Sequence, residues 1–506
     1  MSSGRGIRRL ARGAIYGFAS AGLVASCPSL SWGAIPRELQ CPGCNVIFVT
    51  IDVLRSDELK IGGSTKSIMP NLDALAARGI SFTNAYSPSP DTLPATFTFM
   101  SGLEPWHHGV QLQLRDDLRQ AEWLRRGRTL PAILKREGYE VYRTAFSTAI
   151  LSQLAEKQYR GSRSVEVRNL EGIGKFFLWI QETVHDPYYP RPETVRSLDV
   201  TLSKTSYPDR EIVSRCLFAS LAGGVWPDSL NNKGYSVAKD SPDRERAQRL
   251  VAIADPRERL AAFKSYDPEA DWYALRSHCF WSFFSSETIS VARLLYDARA
   301  QEVDDDLQEA FRVLEAKGFL SHSLIVITSQ HGEEFLEHGE VVHSRQLYGE
   351  SLHIPLVIFF PGLKDGRIIG QVVRGVDLMP TILQAVGIRP PRGLDGESLL
   401  PCLAGRCRER TAFACWNHAC SARDGRFTYL RREVWPHGFA EQLFDRQTDP
   451  QEQKDISLAE PKTTARMRAI LSRQLLRNSE QGQSGRSWSA EAQEKAKDVI
   501  SRWEDW

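Results

Sequence analysis

A hydroxyl-rich segment supplies the first candidate nucleophile. In the stretch DTLPATFTFMSG, Thr92 stands two residues before Pro94, and an apolar run then leads to Gly102. Because proline is favoured in the first turn of a helix, this order predicts Thr92 at or just before a helix N-terminus, where backbone N–H groups favour an anion. The threonine could attack a phosphate or sulfate there if a divalent cation lowers the pKa of its hydroxyl. Alternatively, Thr92 only caps the helix.

Polar residues also end two apolar segments that are typical of buried strands. The segment NVIFVTID ends in Asp52, and SLIVITSQH ends in Gln330 and His331. Strands that are apolar on both faces are typical of parallel sheets, whose carboxyl ends meet at one edge and bind ligands there. A carboxylate, a hydroxyl, an amide carbonyl and an imidazole at that edge suit one divalent cation, which we expect to be Ca²⁺, Mg²⁺, Mn²⁺ or Zn²⁺.

The elements around these residues alternate between strands and helices. PLVIFFPG is a third buried strand, and MPNLDALAARG and DDDLQEAFRVLEAKG have the spacing of helices. This alternation predicts a doubly wound α/β domain over residues 35–400, with a mostly parallel sheet flanked by helices. The periodicity fades at about residues 192–270, which we interpret as an insertion.

The pattern changes again after residue 400. RFTYLRR alternates like an exposed strand, EQLFDRQTDPQE is typical of a strand and a turn, and helical segments follow. We therefore expect residues 401–506 to form a smaller α+β domain that ends in a helical tail.

The first 34 residues have the pattern of an export signal. Four arginines precede a short apolar run at residues 14–25, which is too short to span a bilayer. The sequence VASC also places Cys27 where a bacterial lipobox has its acylated cysteine, although Cys27 could equally lie inside an ordinary cleaved signal. Both interpretations predict a protein of the periplasm or cell envelope, with a lipid anchor to the membrane in the first case.

Charge and cysteine usage narrow the class of partner. The 506-residue chain has a formal net charge of +2 and no block of one sign, which argues against nucleic acid and favours a small or local chemical group as the partner. Six of its nine cysteines form three close pairs, 41 with 44, 402 with 407 and 415 with 420. In an exported protein these favour small disulfide loops, although CPGC could instead be a redox or metal site.

Six blocks of the chain, taken in order, resemble the sulfatase family of the alkaline-phosphatase-like superfamily. They are NVIFVTIDVLRSDEL, PNLDALAARGISFTNAYSPSPDTLPATFTFMSGLEPWHHGV, TSQHGEEFLEHGE with HSRQLYGESLHIPLVIFFPG, VDLMPTILQAVGI, LDGESLLP and QLFDRQTDPQE. The resemblance implies a mixed, mostly parallel sheet, a smaller C-terminal domain, a metal-dependent site, and cleavage or transfer of sulfate or phosphate esters. The substrate would be a small anionic ester or an envelope glycan or lipid.

The resemblance assigns roles to the candidates but also shows departures from the family. Asp52 matches the family's first metal-binding aspartate, whereas Val53 stands where many members have a second. Gln330, beside His331, replaces the aspartate of the usual SDHGE block, so it can donate a carbonyl oxygen but no charge. Thr92 occupies the nucleophile position, where the sulfatases have a cysteine or serine that is oxidised to formylglycine.

Threonine cannot yield that aldehyde, and Thr96 replaces the arginine of the family's C/S-x-P-x-R motif, so formylglycine chemistry is excluded. Phosphodiesterase and transferase relatives use a threonine nucleophile instead. The resemblance further implies that His343 and His185 contact the substrate anion. It also implies supporting roles for Arg55, His107, His108 and His338, while Glu333 and Glu334 are expected to be a solvated or helix-starting acidic pair.

Two functions from different classes follow. The first is an exported, metal-dependent hydrolase or transferase in which Thr92 attacks a phosphate- or sulfate-type ester. The alternative is a catalytically inactive protein with the sulfatase fold that binds an anionic ligand or an envelope partner, as Val53, Thr96 and Gln330 suggest.

Overall fold

The fold is described from a computed structural model. It covers residues 35–110, 128–144, 163–164, 166–170, 174–184, 188, 289–416, 418–433 and 439–483. Three parts of the chain lie outside these ranges: the predicted export signal, the predicted insertion with most of the residues around it, and residues 484–506. The predictions for them therefore stay predictions.

An eight-stranded sheet forms the centre of the larger domain. Its strands are β1 (Asn45–Asp52), β2 (Ile80–Phe82), β4 (Glu140–Arg143), β5 (Arg163–Ser164), β6 (Phe176–Thr183), β7 (Ser323–Ser329), β10 (Leu356–Phe359) and β11 (Arg367–Ile369). They lie in the order β11-β2-β10-β7-β1-β6-β4-β5. All neighbours run parallel except β10, which is antiparallel to both β2 and β7. The expectation of a mixed, mostly parallel sheet is confirmed.

The remaining strands form small pairs and a second sheet. The pairs are β3 (Ala85–Tyr86) with β12 (Val373–Arg374), and β8 (Glu334–Phe335) with β9 (Val341–Val342). The second sheet contains β13 (Ala412–Trp416), β14 (Ala419–Arg423), β15 (Phe427–Glu433) and β16 (Phe439–Asp445), all antiparallel.

Helices connect and cover these strands. They are α1 (Pro70–Ala76), α2 (Thr92–Ser101), α3 (Pro105–His108), α4 (Leu130–Arg136), α5 (Ile289–Ala316), α6 (Gly349–Leu352), α7 (Leu378–Ala385), α8 (Leu400–Leu403) and α9 (Pro461–Gln483). Pro70 occupies the first turn of α1, and α5 leads towards β7, as the sequence predicts. Within the described ranges, no helix is long and apolar enough to cross a bilayer.

The central strand β1 is buried along its whole length. It has β6 on one side and β7 on the other, and helix α5 contributes to the same core cluster. Tyr296, Val303 and Leu307 of α5 pack in the same core cluster as Ile47 and Val49. Each such side chain contributes about 1.5–3 kcal/mol when it is fully buried, so the strand ends are held in fixed positions.

The smaller C-terminal unit corrects one prediction. RFTYLRR was expected to be an exposed strand, but Thr428, Tyr429, Leu430 and Arg431 of β15 are all buried. The reason is that β15 lies between β14 and β16, with Tyr429 against α9 and Leu430 against residues of the larger domain. The expected α+β character of this unit is confirmed.

Three disulfides join the predicted cysteine pairs. Cys41 bonds to Cys44, Cys402 to Cys407, and Cys415 to Cys420. CPGC is therefore a disulfide loop in the structure. The third bond links cross-strand neighbours of β13 and β14, next to Trp416.

Candidate active site

Asp52 is the last residue of β1 and lies at the carboxyl edge of the sheet. The register pairs Ile51 with Ser329 of β7, so the next residue along each strand is Asp52 on one side and Gln330 on the other. Asp52, Gln330 and His331 are all fully buried. The sheet itself thus brings together the polar residues that the sequence placed at its edge.

Thr92 is the first residue of α2, and Asp91 is its N-cap. The Asp91 carboxylate accepts a hydrogen bond from the Leu93 backbone N–H at 3.3 Å. The Thr92 hydroxyl lies 3.0 and 3.1 Å from the two carboxylate oxygens of Asp52, and 3.0 Å from His331 Nε2. Three residues that are far apart in sequence therefore meet at one hydroxyl group.

The imidazole of His331 is held by its backbone surroundings. Its Nδ1 lies 2.9 Å from the Gly332 carbonyl oxygen, and it must donate there because a carbonyl only accepts. Nε2 is consequently the atom that faces Thr92 and, at 3.6 Å, Asp52. Gly332 is required by a close approach, since a Cβ there would lie 1.9 Å from the Glu350 carbonyl oxygen.

Gln330 carries an unusual buried amide. Neither its Oε1 nor its Nε2 has a hydrogen-bond partner among the described residues. A buried polar group without a partner costs about 1–3 kcal/mol, so this amide favours a ligand that would satisfy it. Val53, the residue after Asp52, has a positive φ of 67° and is fully buried, with its carbonyl accepting from Tyr296 at 2.8 Å.

These side chains fit one divalent cation, though with little charge. The candidate ligands Asp52, Thr92, Gln330 and His331 offer oxygen and nitrogen donors, and the unsatisfied amide oxygen of Gln330 is suited to a cation. Only Asp52 is anionic, and in the described part of the chain no three His, Cys, Asp or Glu side chains form a ligand group. A site with one carboxylate should bind its cation more weakly than one with several.

His343 approaches the same cluster from the loop after β9. Its ring lies 4.8 Å from the ring of His331, centroid to centroid, and its Nδ1 lies 3.4 Å from Glu333 Oε2. The side chain is 11% exposed, whereas that of Glu333 is fully buried. His343 is thus placed where it can contact both a substrate and the buried cluster. His185, the other predicted anion contact, lies outside the described residues.

Glu333 and Glu334 are not a solvated pair, so that prediction is wrong. Glu334 belongs to β8, and its carboxylate accepts hydrogen bonds from the Gln346 backbone N–H at 3.1 Å and from the Ser351 hydroxyl at 2.8 Å. Burial raises the pKa of Glu334 to about 8. The sequence could not reveal this burial, because it depends on the segment that returns as β9.

Arg55 and His108 form contacts that support the structure around the site. Arg55 donates to the Glu333 carbonyl at 2.9 Å and forms ion pairs with Asp57 and Glu337. His108 lies 3.0 Å from the Thr98 hydroxyl of α2, and burial lowers its pKa to about 3. Both contacts agree with the expected supporting roles.

A mixed, mostly parallel sheet with polar residues at one carboxyl edge, followed by a smaller antiparallel unit, defines an alkaline-phosphatase-like hydrolase fold. The family model named Sulfatase matches residues 44–214 and 226–388, and the model named N-sulphoglucosamine sulphohydrolase, C-terminal, matches residues 337–481. Because the first match spans more than half of the chain, the chain belongs to the sulfatase family. Its hydrolases act on sulfuric or phosphoric esters, and the resemblance seen in the sequence is confirmed.

Individual relatives agree with this assignment. Arylsulfatase K of Bos taurus is 25% identical over 464 residues, which cover 86% of this chain and 81% of the relative. A protein solved in complex with its substrate D-glucosamine-2-N,6-O-disulfate has a TM-score of 0.59 and 16% identity, and the match covers 88% of this chain and 100% of that one. The phosphonate monoester hydrolase of Silicibacter pomeroyi has a TM-score of 0.53 and 20% identity, with 88% and 98% coverage. Both of these solved structures share the fold of this chain.

Proposed function

We propose that Thr92 is the nucleophile of a sulfatase-family hydrolase that cleaves phosphate- or sulfate-type esters without formylglycine. The observation that carries this proposal is the position of the Thr92 hydroxyl, within 3.1 Å of both Asp52 carboxylate oxygens and of His331 Nε2. A threonine that only capped its helix would not need these partners, because Asp91 already fills the capping position.

The reaction exchanges one ester bond for another and then hydrolyses it. Thr92 Oγ1 forms a bond to the phosphorus or sulfur atom, and the bond from that atom to the leaving oxygen breaks. The hydroxyl proton passes to the Asp52 carboxylate, which is within hydrogen-bond reach. The leaving oxygen takes up a proton, and water then cleaves the Thr92 ester and regenerates the hydroxyl.

A divalent cation, when bound by Asp52, Thr92, Gln330 and His331, would lower the pKa of the Thr92 hydroxyl and offset negative charge on the transferred group. Asp52 would supply the only formal charge among these ligands. His331 is already oriented for this role, since its Nδ1 is engaged by the Gly332 carbonyl. Binding of Ca²⁺, Mg²⁺, Mn²⁺ or Zn²⁺ by isothermal titration, compared between wild type and Asp52→Asn, tests the site without any activity measurement.

The backbone at the start of α2 and the side chain of His343 would hold the substrate anion. Helix α2 has ten residues, so its N-terminal N–H groups and dipole favour a negative group beside Thr92. His343 lies near His331, which contacts the Thr92 hydroxyl. His185 is proposed as a second contact on the strength of the sequence resemblance.

The substrate is proposed to be an ester in the periplasm or cell envelope. The predicted export signal, whether it contains a lipobox at Cys27 or is an ordinary cleaved signal, supports this location. A sulfated sugar is one candidate, because a protein of similar fold binds D-glucosamine-2-N,6-O-disulfate as its substrate. A phosphate diester of an envelope glycan or lipid is the other, because relatives with a threonine nucleophile act on phospho groups.

Turnover of model esters tests the proposal. Wild type, Thr92→Val and Thr92→Ser are assayed with bis-p-nitrophenyl phosphate and p-nitrophenyl sulfate in the presence of each cation. We expect metal-dependent turnover that Thr92→Val abolishes and Thr92→Ser retains in part. No turnover by wild type, together with no bound metal by elemental analysis, would instead support an inactive anion-binding protein, which the neutral Val53 and Gln330 favour.

A further inference from the structure

The loop that carries His343 forms hydrogen bonds both to the start of α2 and to the C-terminal sheet. Ser344 has a positive φ of 60°, and Val342 has a positive φ of 63°, so both residues next to His343 adopt the left-handed backbone region. Residues other than glycine rarely adopt this region unless the surrounding contacts impose it. The contacts that impose it here are therefore candidates for positioning His343.

Ser344 ties this loop to the start of the nucleophile helix. Its hydroxyl donates to Asp91 Oδ2 at 2.8 Å, and its backbone N–H donates to the Pro90 carbonyl at 3.1 Å. The other oxygen of Asp91 accepts from the Leu93 backbone N–H, so Asp91 caps α2 and holds Ser344 at the same time. Thr92 and His343 are each one residue away from this hydrogen bond.

Trp416 ties the same residue to the C-terminal sheet. Its Nε1 donates to the Ser344 carbonyl at 2.9 Å. Trp416 ends β13 next to Cys415, whose disulfide to Cys420 joins β13 to β14. The Trp416 N–H donor thus belongs to a β-hairpin of the smaller unit that is cross-linked by a disulfide.

We propose that Ser344 and Trp416 are positioning residues that set the distance between His343 and Thr92, so that the C-terminal sheet completes the anion site. This inference rests on the proposed function, since it assumes that His343 holds the substrate anion. Neither residue needs to touch the substrate. A displacement of about 1 Å in such a contact can reduce a rate on the order of 100-fold. Because the backbone hydrogen bond from Ser344 to Pro90 remains in each variant, we expect a smaller effect, a loss of anion affinity of about tenfold.

Anion affinity measures this positioning independently of turnover. Inorganic phosphate and sulfate are titrated calorimetrically into wild type, Ser344→Ala and Trp416→Phe, with each variant checked for cooperative thermal unfolding. We expect Ser344→Ala to bind each anion about tenfold more weakly. Trp416→Phe keeps an aromatic ring but removes the N–H donor, and it should also bind the anions more weakly. Ser321→Ala is the control, because it removes a serine hydrogen bond to the Gly318 carbonyl at 3.0 Å just before the amino end of β7, whereas Gln330 and His331 follow the carboxyl end of that strand.

A double-mutant cycle with His343→Ala distinguishes an effect that acts through His343 from a general loss of stability. If Ser344 acts through His343, Ser344→Ala has no further effect on anion affinity once His343 is alanine. An equal loss in both backgrounds, or unchanged affinity in Ser344→Ala and Trp416→Phe, would overturn the inference. Wild type that binds neither anion would overturn it as well. Wild type that binds phosphate but does not cleave esters would refute only the proposed catalysis.

Discussion

Replacing Gln330 with aspartate should tighten cation binding at the proposed site. The Gln330 amide is fully buried, has no hydrogen-bond partner among the described residues, and follows the strand beside Asp52. A unit charge about 4 Å from a monovalent cation contributes roughly 4 kcal/mol at an effective dielectric constant of about 20. This is an upper estimate that corresponds to about three decades in Kd. We therefore expect Gln330→Asp to tighten Ca²⁺ or Mn²⁺ binding by about 10²- to 10³-fold.

The same change should destabilise the metal-free protein. The introduced carboxylate would share a buried site with the like charge of Asp52, and an uncompensated buried charge costs about 3–5 kcal/mol. Calorimetric Kd values and unfolding midpoints, each with cation and with EDTA, measure both effects. Gln330→Asn is the matched control, because it has the same length as aspartate but no charge. Equal cation affinities of Gln330→Asp and Gln330→Asn would refute the assignment of this residue to the cation site.

Three further predictions concern stability. Asp91→Ala removes the cap of α2 and should lower the free energy of unfolding by about 1–2 kcal/mol in denaturant titrations, whereas Asp91→Asn should lower it less. Burial alone would lower the pKa of His338, but hydrogen bonding and charge from Glu350 raise it. The stabilisation that protonated His338 contributes is therefore complete below the unfolded-state pKa of about 6.5 and is lost above the folded-state pKa. His338→Gln should consequently lower Tm more at about pH 5.5 than at about pH 9. Burial raises the pKa of Glu104 to about 8, so wild type should lose stability between about pH 4.5 and 8, and Glu104→Gln should reduce that slope in Tm-against-pH curves. A pH-independent effect of His338→Gln or an unchanged slope in Glu104→Gln would contradict the corresponding prediction.

The residues that the sequence located correctly are those with local signals. Asp52 and Gln330 end apolar runs, and Thr92 precedes a proline and an apolar helix, so their positions follow from strand and helix patterns alone. The common sheet edge then follows from the parallel arrangement of β1 and β7. The resemblance to sulfatases added the roles of these residues, which the pattern could not supply.

Contacts between distant segments could not be predicted. The hydrogen bond between Ser344 and Asp91 spans 253 residues, and the one between Trp416 and Ser344 spans 72. The burial of Glu334 likewise depends on Gln346 and Ser351, which fold back over it. No local period or spacing encodes these pairings, because they arise only when the loop after β9 packs against the start of α2 and against Trp416.

Trapping the enzyme during turnover tests the central claim most directly. Wild type and Thr92→Val are mixed with bis-p-nitrophenyl phosphate or p-nitrophenyl sulfate, quenched in acid and analysed by peptide mass spectrometry. The account predicts a Thr92 p-nitrophenyl phosphodiester from the first ester or a sulfated Thr92 from the second in wild type, and neither the adduct nor turnover in Thr92→Val. Ester cleavage that persists in Thr92→Val, or an adduct on a different residue, would contradict it.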